Sequence, residues 1–261
     1  MFIIGERING MFRSVARAIR ERDKAAIVDL ARRQVSAGAS ALDLNTGPTG
    51  DDPAEVMTWL VHTVQDAVDV PLSLDSPKPA VIAAGLLACR GYAVINSTTG
   101  AAEKLDALLP LAVEFNAGLI GLTIDERGIP RNAEARAEIA LTIVARAMEA
   151  GLPTDRLYLD PIVLPVSAAQ AQGPEALGAI PTFLALCEPR PHIMVGLSNV
   201  SQGAPNRGLI NRTFLAMAMA MGLDGAILDP LDQELMDALR TASVLLNREI
   251  YCDNYLQVRS A

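Results

Sequence analysis

Eight short apolar runs recur along the chain, most followed at once by Asp or Asn and then by a helix-length stretch. This repetition limits the fold more than any other feature. The runs cover residues 2–5, 41–45, 71–74, 92–95, 119–124, 157–159, 193–195 (opened by His192) and 225–228. Each is too short for a helix and too continuously apolar for a strand with one wet face. Between them apolar residues return every three or four positions, as in Ile27, Leu30, Ala31 and Val35, or Leu235, Met236, Leu239 and Ala242. Gly38 and Gly151 stand where such helices should stop. Residues 214–223 are apolar all round and read as a buried helix or a subunit contact. Alternating buried strands and amphipathic helices imply a parallel sheet covered on both faces. Eight such units predict a (β/α)8 TIM barrel forming one domain over residues 1–261. An open doubly wound sheet is the alternative, but no Gly-x-Gly-x-x-Gly follows the first strand.

Composition narrows the function classes. A net charge of −8 makes a nucleic-acid backbone a poor ligand. No apolar run approaches the ~18 residues of a membrane span, and no leader is visible, so a cytoplasmic protein is expected. Cys89, Cys187 and Cys252 lie far apart, which suggests reduced core thiols. With only two histidines, His62 and His192, neither a histidine-rich metal site nor a His-based triad is expected, and no bound metal is required. His62 reads as a solvated residue on its helix.

In a parallel barrel every strand ends on the same face, where barrel enzymes build their sites. Those ends carry Asn9, Asn45, Asp75, Asn96, Asp125, Asp160, Asn199 and Asp229. Any one of them could simply cap a helix or begin a turn. Taken together they form a ring of carboxylates and amides with few cations, Arg7 and Arg207 being the nearest candidates. A carboxylate accepts two parallel donors well, and a planar N–C–N edge supplies them. The ring therefore favours a heterocycle with amide and amidine edges, as in a pterin, over a polyphosphate. A long polar loop, Ser198 to Arg207, follows the seventh strand and puts amide and hydroxyl donors on a rigid support.

At this point the motifs IIGERINGMF (3–12), ALDLN (41–45), LDS (74–76), INST (95–98), LIGLT (119–123), LYLDP (157–161), GLSNVSQ (196–202), NRTFLAMAMA (211–220) and YCD (251–253) can be taken as a set. Nearly end to end, the sequence resembles the methyltetrahydrofolate:corrinoid/iron–sulfur protein methyltransferases of the pterin-binding barrel superfamily. The resemblance implies that Asp75, Asn96 and Asp160 hold the pterin and that Asn199 reaches N5, the atom bearing the methyl group. It implies that Gly196 and Ser198 shape that wall and that Gln202 and Arg207 lie toward the benzoyl-glutamate tail. The catalytic residues would be Asn199, donating a hydrogen bond to N5, and Asp75, as a proton relay through water or a positional acceptor. The corrinoid (cobalamin) would arrive on a partner protein, of the corrinoid/iron–sulfur protein kind, and the enzyme would be a homodimer. Departures from the family pattern fall mainly on helices and in the 165–190 region, which bears on partner contacts. Three alternatives stay open: the same transfer run from a methylcorrinoid protein to tetrahydrofolate, a dihydropteroate synthase, and a non-enzymatic folate-binding scaffold. The synthase would want basic residues after the seventh strand, where Ser198 is followed by Asn199 and Val200.

Overall fold

A computed structural model describes residues 1–257. Eight strands close in sequence order into a parallel barrel: β1 (Phe2–Asn9), β2 (Ala41–Asn45), β3 (Leu72–Asp75), β4 (Ala93–Thr99), β5 (Gly118–Leu122), β6 (Leu157–Asp160), β7 (His192–Gly196) and β8 (Gly225–Leu228). β8 returns to β1 in register, from Phe2 opposite Gly225 to Gly5 opposite Leu228. Ten helices wrap it: α1 (Arg13–Arg20), α2 (Lys24–Ser36), α3 (Pro53–Gln65), α4 (Pro79–Ala88), α5 (Ala102–Glu114), α6 (Ala133–Glu149), α7 (Val166–Ala169), α8 (Gln172–Leu184), α9 (Arg207–Met221) and α10 (Gln233–Leu245). The expected (β/α)8 architecture is what forms. Two connections carry an extra helix, α1 before α2 and α7 before α8. The helix stops fall as expected, with Gly38 at φ 108° and Gly151 at φ 83°, a left-handed turn that glycine takes without strain. The last four residues of the 1–261 span lie outside the described residues.

Side-chain alternation divides the strands between two cores. Outward-facing residues such as Leu42, Leu44, Leu74, Ile95, Leu119 and Leu159 pack against the helices in one large cluster. Inward-facing Ile4, Ala41, Val94, Ile120, Tyr158 and Met194 fill the lower barrel as a second, separate cluster. At its lower end Phe2 and His192 stack on either side of Tyr158, at centroid distances of 5.8 and 5.1 Å, and fill the N-terminal end. His192 is pinned from outside by Asp224, 3.1 Å from its Nδ1. Two residues further along β2, β4 and β6 the inward positions change to Asp43, Asn96 and Asp160, with Ser73 of β3 beside Asp43. The register sets Asp43 opposite Ser73, Asn45 opposite Asp75, and Asp75 opposite Asn96. The barrel is thus apolar below and polar at its mouth.

Several local expectations are corrected. β1 runs on to Asn9 through a register shift between Gly5 and Ile8, and β4 runs on to Thr99. β5 stops at Leu122, where a tight turn donates Ile124 N to the Leu122 carbonyl. Asp125 is therefore not in the polar ring; it is held by Arg127 in the following loop at 2.7 Å. α9 is apolar but not buried all round: Phe214, Leu215, Ala218 and Met219 face inward while Met217 and Met221 are exposed. The three cysteines are free, as expected, but Cys89 and Cys187 are half-buried and Cys252 is exposed, so none is a core thiol. His62 is exposed. Among the described residues, no helix is long and apolar enough to cross a membrane.

Candidate active site

The polar layer is built around three inward carboxylates. Asp43 is only 3% exposed, and its Oδ1 accepts Ser73 Oγ at 2.6 Å and Asn96 Nδ2 at 3.0 Å. Burial first, and then the neighbouring Asp75 carboxylate, push the Asp43 carboxyl far above the usual range. Asp75 sits one step nearer the mouth. Its Oδ2 accepts Asn45 Nδ2 at 2.6 Å, while Asn45 Oδ1 accepts the Gly47 amide at 2.7 Å. Burial raises the Asp75 carboxyl too, and the Asn45 bond opposes the shift.

Asp160 ends β6 across the opening. Its Oδ1 accepts the Ile162 amide at 2.7 Å and its Oδ2 the Gly196 amide at 3.3 Å. Burial pushes it up to about 6 against those two bonds. Ile162 is held at φ 63°, which a β-branched residue rarely tolerates. Two anchors hold the turn: the Asp160 bond itself, and the fully buried Arg136, whose Nε donates to the Pro161 carbonyl at 2.6 Å. Arg136 also donates to Gln172 Oε1 at 2.8 Å, joining the end of β6 to α6 and α8. The backbone that aims Asp160 is therefore held by both anchors, and through Arg136 by α6 and α8.

The wall after β7 is a single 3-10 turn, Leu197–Asn199. A Cβ added to Gly196 would lie 3.0 Å from Asn199 Nδ2, so the Asn199 amide packs closely over the Gly196 backbone. Ser198 Oγ donates to Glu6 Oε1 at 2.6 Å, stitching this wall to β1. Burial raises the Glu6 carboxyl, and the Ser198 bond moderates it. Arg207 donates through Nη2 to the Ser198 carbonyl and through Nε to Ser201 Oγ, both at 3.1 Å, and so clamps the turn. Gln202 is exposed on the rim, and its carbonyl accepts Ser167 Oγ at 2.9 Å. Arg7 is drawn away to Asp229 at 3.3 Å and lies over the Phe12 ring.

The structure thus gathers the sequence-predicted residues into two groups facing one opening. Asp75 and Asn96 are register neighbours on one side, and Asp160 is bonded to Gly196 on the other, continuous with Ser198 and Asn199. Gln202 and Arg207 lie farther out. Reading strand ends alone missed Asp43, Glu6 and Arg136. Asp43 had a signal: in Ala-Leu-Asp-Leu-Asn, residues 41, 43 and 45 share one face, so a carboxylate facing the barrel was implied by parity.

With this geometry in hand, comparison with known proteins places the chain. It belongs to the pterin-binding enzyme family, whose model matches residues 5–229. Within that class it is 34% identical over 257 residues to the methylcorrinoid:tetrahydrofolate methyltransferase of Eubacterium limosum, covering 98% of this chain and 94% of that protein. It is 30% identical over 240 residues to the methionine synthase of Mycobacterium tuberculosis, covering 87% of this chain but only 20% of that much longer protein. Among solved structures, a Yersinia pestis DHPS with a pterine–sulfa conjugate superposes with a TM-score of 0.71 at 16% identity, covering 95% of this chain and 94% of that one. A dihydropteroate synthase of Coxiella burnetii gives 0.69 at 17%, covering 93% of each chain. At these identities the two structures share the fold with this chain.

Proposed function

We propose that this enzyme moves a methyl group between N5 of tetrahydrofolate and the cobalt of a corrinoid carried by another protein. The observation that carries the reading is the mouth itself: Asp75, Asn96 and Asp160 present acceptors on a rigid, mostly buried frame, with no guanidinium among them. The guanidine-like edge of a pterin offers the matching row of N–H donors. The match to the Eubacterium limosum methyltransferase over nearly the whole of both chains supports the same reaction. The same site serves both directions, because a transition state has no memory of its starting side.

In the forward direction the N5–CH3 bond breaks as the lone pair of cobalt(I) forms the new bond to carbon. The electron pair left on N5 must be met by a proton or a strong donor. Asn199 supplies that donor, and its bond strengthens as charge arrives on N5. Gly196 leaves room for the amide, and the 3-10 turn clamped by Arg207 limits its movement. Asp75, one oxygen taken by Asn45 and its carboxyl raised by burial, positions the pterin edge and can relay a proton through water. Gln202 and Arg207 stand where the benzoyl-glutamate tail would leave the barrel. The corrinoid approaches over this same exposed rim, on a separate protein of the corrinoid/iron–sulfur kind. A homodimer through the exposed methionines of α9 and a cytoplasmic location complete the proposal.

A dihydropteroate synthase reading is disfavoured by charge. Pyrophosphate departure needs cations after β7, and here Arg207 is already bonded to Ser198 and Ser201. The deciding experiment mixes the enzyme with methyltetrahydrofolate and cobalt(I) cobalamin and follows the visible spectrum. Enzyme-dependent loss of the cobalt(I) band with appearance of methylcobalamin is expected. No acceleration over the enzyme-free mixture would overturn the assignment.

A further inference from the structure

Asp43 lies one layer beneath the residues proposed to touch the folate, and nothing in the mechanism above uses it. Two contacts converge on its Oδ1, from Ser73 Oγ at 2.6 Å and from Asn96 Nδ2 at 3.0 Å. An ionised carboxylate only accepts, so Asn96 must turn its nitrogen, not its oxygen, toward Asp43. When Asp43 carries a proton, Oδ2 can hold it, because Oδ1 already accepts from Ser73. The choice of amide orientation therefore survives in both charge states. It leaves Asn96 with its carbonyl oxygen and one N–H for whatever occupies the mouth.

Building on the folate reading above, we infer that Asp43 is a positioning residue that locks the Asn96 amide so that its carbonyl faces the ligand, making this position demand an N–H from the bound heterocycle. The geometry is specific. Asp43 is on β2 and Asn96 on β4, with Ser73 of β3 between them, so the bond reaches across a strand. Burial and the adjacent Asp75 favour the neutral acid, which makes Asp43→Asn a close match in shape and charge. An amide at 43, however, can either accept from Asn96 Nδ2 or donate to Asn96 Oδ1, and Asn96 is then free to flip. A residue that merely stapled β2 to its neighbours would affect stability without any such coupling to the ligand.

The test is a double-mutant cycle on tetrahydrofolate affinity, measured by calorimetry with wild type, Asp43→Asn, Asn96→Ala and the double variant, each checked for folding by circular dichroism. Asp43→Asn should weaken binding ~10- to 100-fold, the scale of one hydrogen bond lost at a buried polar site. The same change should have less than about a twofold effect once Asn96 is Ala. In the cobalamin assay the loss should appear in KM, with kcat within about threefold of wild type. If Asp43→Asn does not fold, Ser73→Ala loosens Asp43 instead, and its smaller loss must likewise vanish in the Asn96→Ala background. Additive losses, or wild-type affinity in the single variants at position 43 or 73, overturn the inference alone. A wild-type protein that binds no tetrahydrofolate overturns the folate reading and this inference with it.

Discussion

Replacing Asp160 by Asn should make the ligand-free protein more stable at neutral pH while weakening folate binding. The carboxyl is carried from an ordinary value of 3.8 to about 6. At ~1.4 kcal/mol per tenfold change in proton affinity this corresponds to roughly 3 kcal/mol. The folded protein holds the proton more tightly than the unfolded chain, so the contribution is fully present below about pH 4 and is lost as pH rises through about 6. Asparagine carries no charge and shows no such loss. Its amide can accept from only one of the two backbone donors, however. Keeping the Ile162 bond at 2.7 Å sacrifices the longer one from Gly196 at 3.3 Å, at a cost of about 1 kcal/mol. The balance is a gain of ~1–2 kcal/mol above pH 7. Urea denaturation of both proteins from pH 4 to pH 8, without folate, gives a difference curve in which the other buried acids cancel. Tetrahydrofolate affinity should fall ~10- to 100-fold in the same variant. A difference curve that is flat, or that favours wild type increasingly toward pH 8, would refute the electrostatic account of Asp160.

Other substitutions probe other parts of the site. Asn199→Ala should lower the single-turnover rate of methyl transfer by roughly a hundredfold while changing folate affinity much less, because its bond strengthens only as N5 gains charge. Gly10→Ala should destabilise the fold by ~2 kcal/mol or more in thermal melts, since a Cβ there would lie 2.3 Å from the Thr46 carbonyl oxygen, a backbone atom that cannot step aside. Arg207→Lys replaces a two-nitrogen clamp by a single ammonium; the KM for methyltetrahydrofolate should rise ~3- to 10-fold with little change in kcat. A larger effect on kcat than on KM there would place Arg207 in the chemical step.

The barrel is legible because its strands are buried on both faces and so read as short apolar runs, most of them closing on a polar residue. What the sequence could not show is where an apolar run stops being strand. Residues 119–124 look continuous, yet the chain turns at Thr123, whose amide and hydroxyl both bond the Asp160 carbonyl at 3.1 and 2.9 Å. That neighbour lies 37 positions away. Arg136 was equally hidden. On a helix with acidic and basic neighbours it reads as a solvated side chain; besides the local Asn132 carbonyl, the distant Pro161 carbonyl and Gln172 explain its complete burial. Asp43 is a different kind of omission. Its inward orientation follows from two-residue alternation, but it lies two residues deeper than the strand end, below a ring drawn through strand ends. The Glu6–Ser198 bond, joining residues 192 positions apart, is a product of closure itself, since β1 and β7 flank β8 only once the sheet has curled.

The plugged lower barrel carries a consequence for the order of events. With Phe2, Tyr158 and His192 stacked at the lower end of an apolar layer, the polar mouth is the open approach to the strand ends. On the proposed function, a flat folate would go in first and lie beneath the methyl group's other carrier, and that carrier would have to back away before the spent folate could leave. Kinetic inhibition patterns should bear the mark of such a queue: the large partner competes with nothing that binds deep, yet traps whatever is already inside.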